Sequence, residues 1–194
     1  MKALRCLPVL TLALSAQAAT VVEQFSGAFD VSQWAITTQG GVIDTLAAPL
    51  TVMFTGANND SGPSEQTMLI AAPSAGFVSF NWVYETQDSA PLWDAFSFTV
   101  NGAFNPVSDD LAGTSQSGSF TINVASGDVF GFSAQSFDSA NGSASTWVSG
   151  FRFEEISAVP EPGTLPLMLV TLAGGLAWYQ RRPLAGQAAQ GARA

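Results

Sequence analysis

Histidine is absent from this 194-residue chain, cysteine occurs once, as Cys6, and only six residues are lysine or arginine. Each scarcity removes a class of chemistry. Without an imidazole the chain cannot assemble a Ser-His-Asp or Cys-His nucleophile, nor a histidine-ligated zinc centre. A single cysteine cannot close an intrachain disulfide, so whatever folds must be held by its core. Five of the six basic residues (Lys2, Arg5, Arg181, Arg182 and Arg193) lie near the ends, and the long middle keeps only Arg152. Fourteen of the fifteen acidic residues share that middle with Arg152, which leaves it about thirteen charges negative. Nucleic acids and anionic lipid surfaces demand clustered Lys and Arg and are excluded as partners.

Continuous apolar runs are confined to the two ends. At the N-terminus, Lys2 and Arg5 precede an apolar stretch over 7–14 and the small-residue triplet Ala16-Gln17-Ala18. That order predicts a signal peptide over 1–18, handled by the Sec machinery and cut to leave Ala19 first. Cys6 is removed with it. At the other end the chain reads AVPEPGTLPLMLVTLAGGLAWYQRR: a Pro-Glu-Pro triplet, an apolar stretch over 165–179, and paired arginines. An apolar run closed by Arg is read as membrane-embedded with its basic end cytoplasmic. At ~1.5 Å per residue the roughly seventeen residues from Gly163 to Tyr179 span ~25 Å, short for a bilayer core.

This segment resembles the C-terminal signal of the PEP-CTERM family of bacterial envelope proteins. Val159, Pro160, Glu161, Pro162, Gly163 and Thr164 match its motif, and Arg181 and Arg182 its basic stop. The resemblance implies that a membrane-embedded exosortase recognises the segment, cleaves near Pro-Glu-Pro and passes the protein on. The precursor would be anchored in the inner membrane of a Gram-negative bacterium, and the product would reach the cell surface or extracellular matrix. Four parts are expected: signal peptide 1–18, body 19–158, sorting signal 159–182 with one transmembrane helix, and cytoplasmic tail 183–194.

The body alternates with period two. Val78, Phe80, Trp82 and Tyr84 oppose Phe77, Ser79, Asn81 and Val83; Phe96, Phe98 and Val100 repeat the pattern, as do Phe120, Ile122 and Val124, and Phe130 with Phe132. Trp147, Phe151 and Phe153 are expected on one face opposite Val148, Arg152 and Glu154, with Trp82 and Trp147 buried. Leu50, Val52 and Phe54 make an earlier strand, residues 68–71 a less regular one, and 34–38 and 42–46 weaker ones. Residues 56–63, 113–118 and 139–145 are rich in Gly, Asn, Ser, Asp and Pro and read as loops. Short half-buried strands without an amphipathic helix predict an all-β fold, an antiparallel β-sandwich of jelly-roll type filled by the chain's fourteen phenylalanines. The run EQFSGAFDVSQW, with Gln24, Phe25, Asp30 and Trp34, also resembles the body of a subset of PEP-CTERM proteins named for a Gln-Phe-x-x-Asp motif, although Asp30 stands five residues after Phe25. That likeness implies a shared sandwich and no activity.

With imidazole and thiolate gone, only carboxylate chemistry remains. Glu85, Asp88, Asp94, Glu154 and Glu155 could supply a glycosidase pair, but their spacing singles none out, and the body is expected to be non-enzymatic. Asp88 and Asp94 bracket the loop 87–93 between two strong strands, and Asp138, with Asp109 and Asp110, lies in loops that a sandwich can gather at one end. Such oxygens suit Ca²⁺, while solvated turn-forming aspartates remain the plain alternative. Trp93-Asp94-x-Phe96-x-Phe98-x-Val100-Asn101-Gly102 resembles the loop and strand of CUB-type sandwiches, some of which hold calcium, without their cysteines. Trp93, after Pro91, and Trp34 are candidate exposed rings for a polysaccharide, with core packing as the alternative. The family resemblance points to an exported structural or binding protein linked to exopolysaccharide or biofilm; a calcium-dependent carbohydrate-binding module is the alternative, and a carboxylate glycosidase a distant third.

Replacing Pro160, Glu161 and Pro162 with alanine is expected to leave an uncut form in the inner membrane. Intact-mass analysis of the wild-type surface fraction checks this, and a wild-type species still ending at Ala194 would contradict it.

Overall fold

The structure, a computed structural model, describes residues 19–156. The expected signal peptide, the sorting segment with its helix, and the tail lie outside the described residues. Among the described residues no helix is long and apolar enough to cross a membrane. Residues Ala18–Ser157 form one compact unit.

Eleven strands make up the described body: β1 Val21–Glu23, β2 Ala35–Thr37, β3 Val42–Asp44, β4 Thr51–Thr55, β5 Ser64–Ala71, β6 Gly76–Thr86, β7 Phe96–Val100, β8 Ala103–Pro106, β9 Ser115–Val124, β10 Val129–Ser136 and β11 Ala144–Glu155. They form two sheets, ordered β3-β4-β11-β6-β9 and β2-β5-β10-β7-β8, and β1 joins the first by pairing with β11. Each pairing is antiparallel. From β4 onward the chain changes sheet at every step except the β7–β8 hairpin, which is the jelly-roll order. That hairpin turns on Asn101 and Gly102, with φ of 51° and 80°, the left-handed pair that a two-residue turn requires.

The core is aromatic. Phe54, Phe80, Phe96, Phe98, Phe130, Phe132, Phe151 and Phe153 meet between the sheets, all at most 2 % exposed. The segment before β2 completes them. Phe25, Phe29 and Trp34 are buried, Phe25 stacks on Phe151 at 5.0 Å, and the Trp34 indole N–H donates to the Phe29 carbonyl at 2.9 Å. Asp30 accepts from Ser32 N–H at 3.0 Å and caps the second of two 3-10 turns, Gly27–Phe29 and Val31–Gln33, between these rings. Trp34 is therefore a core residue and not an exposed platform.

Several expectations shift. The pairing of β11 changes register between Ser149 and Arg152, where Gly150 adopts a φ of +58°. The extra residue moves Val148 into the core beside Phe151 and Phe153 and turns Trp147 to the outer face, half-buried. Trp82 is likewise only half-buried. Leu50 precedes β4 and is exposed. β5 begins four residues earlier than its apolar part because Ser64 and Gln66 point inward. Gln66 is fully buried, and its Oε1 accepts from Gln39 N–H at 2.6 Å and Gly41 N–H at 3.3 Å, tying the β2–β3 turn to the sheet. β9 and β11 extend into segments expected as loops, starting at Ser115 and Ala144.

The Phe132 ring lies 5.0–6.3 Å from the rings of Phe25, Trp34, Phe54, Phe80, Phe96 and Phe98. Phe132→Ala is expected to cost about 3–5 kcal/mol, whereas Phe104→Ala, at a half-exposed position of the edge strand β8, should cost under about 1 kcal/mol. Urea unfolding followed by tryptophan fluorescence compares them, and equal losses would show that the two rings carry equal weight.

Candidate functional site

At one end of the sandwich the strand β6 runs into the loop that leads to β7. Tyr84, the last core aromatic of β6, is fully buried and donates its hydroxyl to the Asp94 carbonyl at 3.0 Å, fixing the far side of the loop. Burial pushes the Tyr84 phenol well above its ordinary range, so it stays a donor. The 3-10 turn Pro91–Trp93 fills the crossing, with Pro91 buried. Two residues on, Thr86 faces inward and its hydroxyl joins both aspartates: it donates to Asp94 Oδ2 at 2.8 Å and accepts from Asp88 N–H at 3.1 Å.

Asp88 and Asp94 are 4 % and 1 % exposed. The Asp88 Oδ1 accepts from the Ser89 amide and from its hydroxyl at 3.0 Å. The remaining oxygens, Asp88 Oδ2 and Asp94 Oδ1, are buried without a hydrogen-bond partner. Leaving such a group unmet costs about 1–3 kcal/mol, and more for a charged one. Gly56 stands beside the orphan atom. A Cβ there would make ordinary contact, 3.7 Å from Asp94 Oδ1 and 3.8 Å from the Ala144 backbone, and its absence leaves that flank open.

Burial raises the Asp94 carboxyl above the ordinary aspartate range; the Thr86 and Ser136 hydroxyls oppose the shift, and the charges of Asp88 and Asp138 add to it. Asp138 does not close the set. Its Oδ1 accepts from Ala140 N–H at 3.1 Å in a local turn, and among the described residues no group of three or more Asp or Glu is placed to hold a metal. Asp109 likewise accepts from Leu111 N–H at 2.9 Å, and Asp110 is exposed. The expected trio of Asp88, Asp94 and Asp138 thus narrows to a buried pair joined by Thr86, an anchor that no spacing or motif singles out.

Trp93 directly precedes Asp94 and is 41 % exposed, while its carbonyl accepts from Phe137 N–H at 2.8 Å. The other carboxylates do not pair. Glu85 and Glu154 lie on the outer face of the six-stranded sheet, opposite Ser145 and Phe77. The eight residues of β6 between those levels separate them by roughly 26 Å, against the 5–9.5 Å or so that glycoside hydrolysis uses. Glu154 instead pairs with Arg152 at 3.0 Å.

The body is thus an all-β jelly roll with a buried acidic pair at one end. Residues 158–182 match the model of the PEP-CTERM protein-sorting motif, so the chain carries that sorting signal and is an exported protein. No curated protein matches the chain. Among solved structures it is similar to a family 35 carbohydrate binding module from Clostridium thermocellum, at 17 % identity over 71 % of this chain and all of that one, with a TM-score of 0.37. It is also similar to a family 35 module from Cellvibrio japonicus, at 19 % identity over 61 % and 90 %, with a TM-score of 0.38. A variant of the family 29 module CBM29-2 matches at 11 % identity over 71 % and 87 %, with a TM-score of 0.39. At these values the likeness carries no argument about ligand or activity.

The sign of the Asp94 shift fixes a pH dependence. A carboxyl that holds its proton more tightly folded than unfolded weakens the fold as pH rises from the unfolded value to the folded one; below both values the loss is absent. In calcium-free buffer the melting temperature should therefore fall as pH rises above the ordinary aspartate value of about 4, and less steeply in Asp94→Asn. Parallel slopes for the two proteins would show that Asp94 contributes nothing to the dependence.

Proposed function

We propose that the chain is an envelope or extracellular-matrix protein sorted by an exosortase. In this reading its sandwich is non-enzymatic, serves a structural or binding role linked to exopolysaccharide or biofilm, and is stabilised by calcium. The observation that carries the calcium reading is the pair of buried carboxylate oxygens, Asp88 Oδ2 and Asp94 Oδ1, that no protein group satisfies. Hard oxygens suit a hard cation. Ca²⁺ takes about six to eight of them and accepts backbone carbonyls and waters beside carboxylates. Asp88, Asp94 and Thr86 would contribute side-chain oxygens, and the bare flank at Gly56 leaves room.

Two carboxylates are few, which points to the weak range of extracellular calcium modules, about 10⁻⁴–10⁻³ M. The role of the ion would be to neutralise charge that burial has stripped of water and to fix the β6–β7 loop, which also carries Trp93. A calcium-dependent carbohydrate-binding module is the second reading, favoured by the exposure of Trp93 beside the pair.

An ion that binds only the folded state stabilises it by RT ln(1 + [L]/Kd), about 1.4 kcal/mol at a tenfold excess over Kd. For the full chain in detergent, millimolar Ca²⁺ should raise the melting temperature by a few degrees. Mg²⁺ should do less, since it dehydrates reluctantly and demands a tighter octahedron. Asp88→Asn and Asp94→Asn should each remove the calcium response while keeping the β-rich circular dichroism. An unchanged wild-type melting temperature would end the calcium reading and return both aspartates to plain loop residues.

A further inference from the structure

The outer face of the five-stranded sheet is hollow. Ser97, Thr99 and Ser133 alternate with the core residues Phe96, Phe98 and Phe132, so they point away from the sandwich interior, yet they are 4 %, 5 % and 0 % exposed. Small side chains lie in the middle of the face while larger ones rise at its margins. One cross-strand row runs Phe104, Thr99, Gly131, Leu69. Gly131 adds no side chain to that row, since a Cβ there would collide with the Met68 carbonyl of β5. The result is a groove of about 340 Å³ lined by Glu65, Thr67, Leu69, Thr99, Phe104 and Val129, together with Gly102 at the hairpin. Three strand spacings separate β8 from β5, so the groove is roughly 14 Å across.

We propose that this groove binds a neutral polysaccharide strand, an inference that rests on reading the body as a binding module and names its ligand class and surface. Phe104 is 49 % exposed and Val129 45 %, giving apolar area on which the C–H face of a pyranose can rest. Beside them stand hydroxyls on Thr67 and Thr99 and the Glu65 carboxylate. Ser133, fully buried, donates to Glu65 Oε1 at 2.6 Å and so holds the carboxylate in place from below. A preset acceptor beside an apolar wall matches a ligand that carries hydroxyl donors around an apolar ring. Charge narrows the class further. The groove contains no lysine or arginine, and the one cation of the described body, Arg152, sits on the other sheet, paired with Glu154. An anionic polymer would meet Glu65 unopposed, whereas a neutral one would not.

The test is affinity electrophoresis of the full chain, held in a detergent without a sugar headgroup, through gels containing β-glucan, galactomannan, xylan or dextran, with alginate as the anionic control. At least one neutral polymer should slow the protein, and alginate should not. Phe104→Ala should weaken that retardation tenfold or more and Glu65→Gln several-fold, while Trp93→Ala leaves it unchanged. Melting temperatures close to wild type establish that the variants are folded. Migration unaffected by all four neutral polymers, retardation that survives Phe104→Ala, or retardation lost in Trp93→Ala alone would each overturn the groove. Sorting is read separately by cell fractionation. Surface protein that ignores every polymer ends the groove proposal and spares the envelope reading, while retained inner-membrane protein that is slowed in the gel does the reverse.

Discussion

The structure depends on aromatic rings closing the space between its two sheets. With no disulfide available, two curved sheets can be held at a fixed separation only by what fills the gap. Phe132 stands at the centre, in contact with rings from β4, β6 and β7 and from the N-terminal segment. Each ring fully buried is worth about 1.5–3 kcal/mol, and well-oriented pairs add roughly 0.5–1.5 kcal/mol. The segment from Gln24 to Trp34 belongs to this interaction. Its two 3-10 turns have no value as isolated structure; they exist because Phe25, Phe29 and Trp34 are inserted against Phe130, Phe132 and Phe151.

Both places where this body could meet something else inherit their geometry from that core. Tyr84 is the last aromatic of β6, and its hydroxyl bond to the Asp94 backbone sets where the β6–β7 loop re-enters. Thr86, the next inward position, then reaches the carboxylates that the loop folds back. On the opposite surface, the inward alternation of Phe96, Phe98 and Phe132 dictates that Ser97, Thr99 and Ser133 face out. Small residues there let the margins of the sheet rise above its centre. The hollow is thus the outer side of the pattern that builds the core.

The sequence made the class of fold legible because period two survives substitution so long as one face is buried. Phe80, Phe98, Phe120 and Phe130 all sit on the expected face. Where reading failed, a physical cause is identifiable. A β-bulge at Gly150 breaks the count in β11, and alternation has no means of seeing one added residue, so Trp147 and Val148 exchange sides. Ser64 and Gln66, polar and inward, conceal the start of β5, because such positions are stable only when a partner such as the Gln39 amide is supplied by the β2–β3 turn. Trp34 looked like a ring beside a polar segment, and only the fold shows that Phe29 offers its carbonyl to the indole. Asp88 and Asp94 could be named as a loop pair, but their burial depends on how β6 ends and where the chain re-enters at β7. The groove had no signature at all, since Glu65, Thr99, Phe104 and Val129 come from four strands and meet through pairing register.

The excess of negative charge acts differently at the surface and at the buried pair. Exposed carboxylates such as Glu85 and Asp110 repel one another through water, and at physiological ionic strength that repulsion fades beyond about 8 Å. Ordinary salt is therefore enough to relieve the outside of the body. Asp88 and Asp94 are beyond its reach, because ions in solvent cannot screen a charge that solvent does not touch. Two remedies remain for Asp94: a proton, which its raised affinity favours as pH falls, or a cation seated directly against Oδ1. The proton removes the charge and with it the reason for the site, whereas a seated cation keeps the carboxylate ionised and links it to Asp88. In the proposed calcium-bound form, direct coordination would satisfy both oxygens and fix the β6–β7 loop.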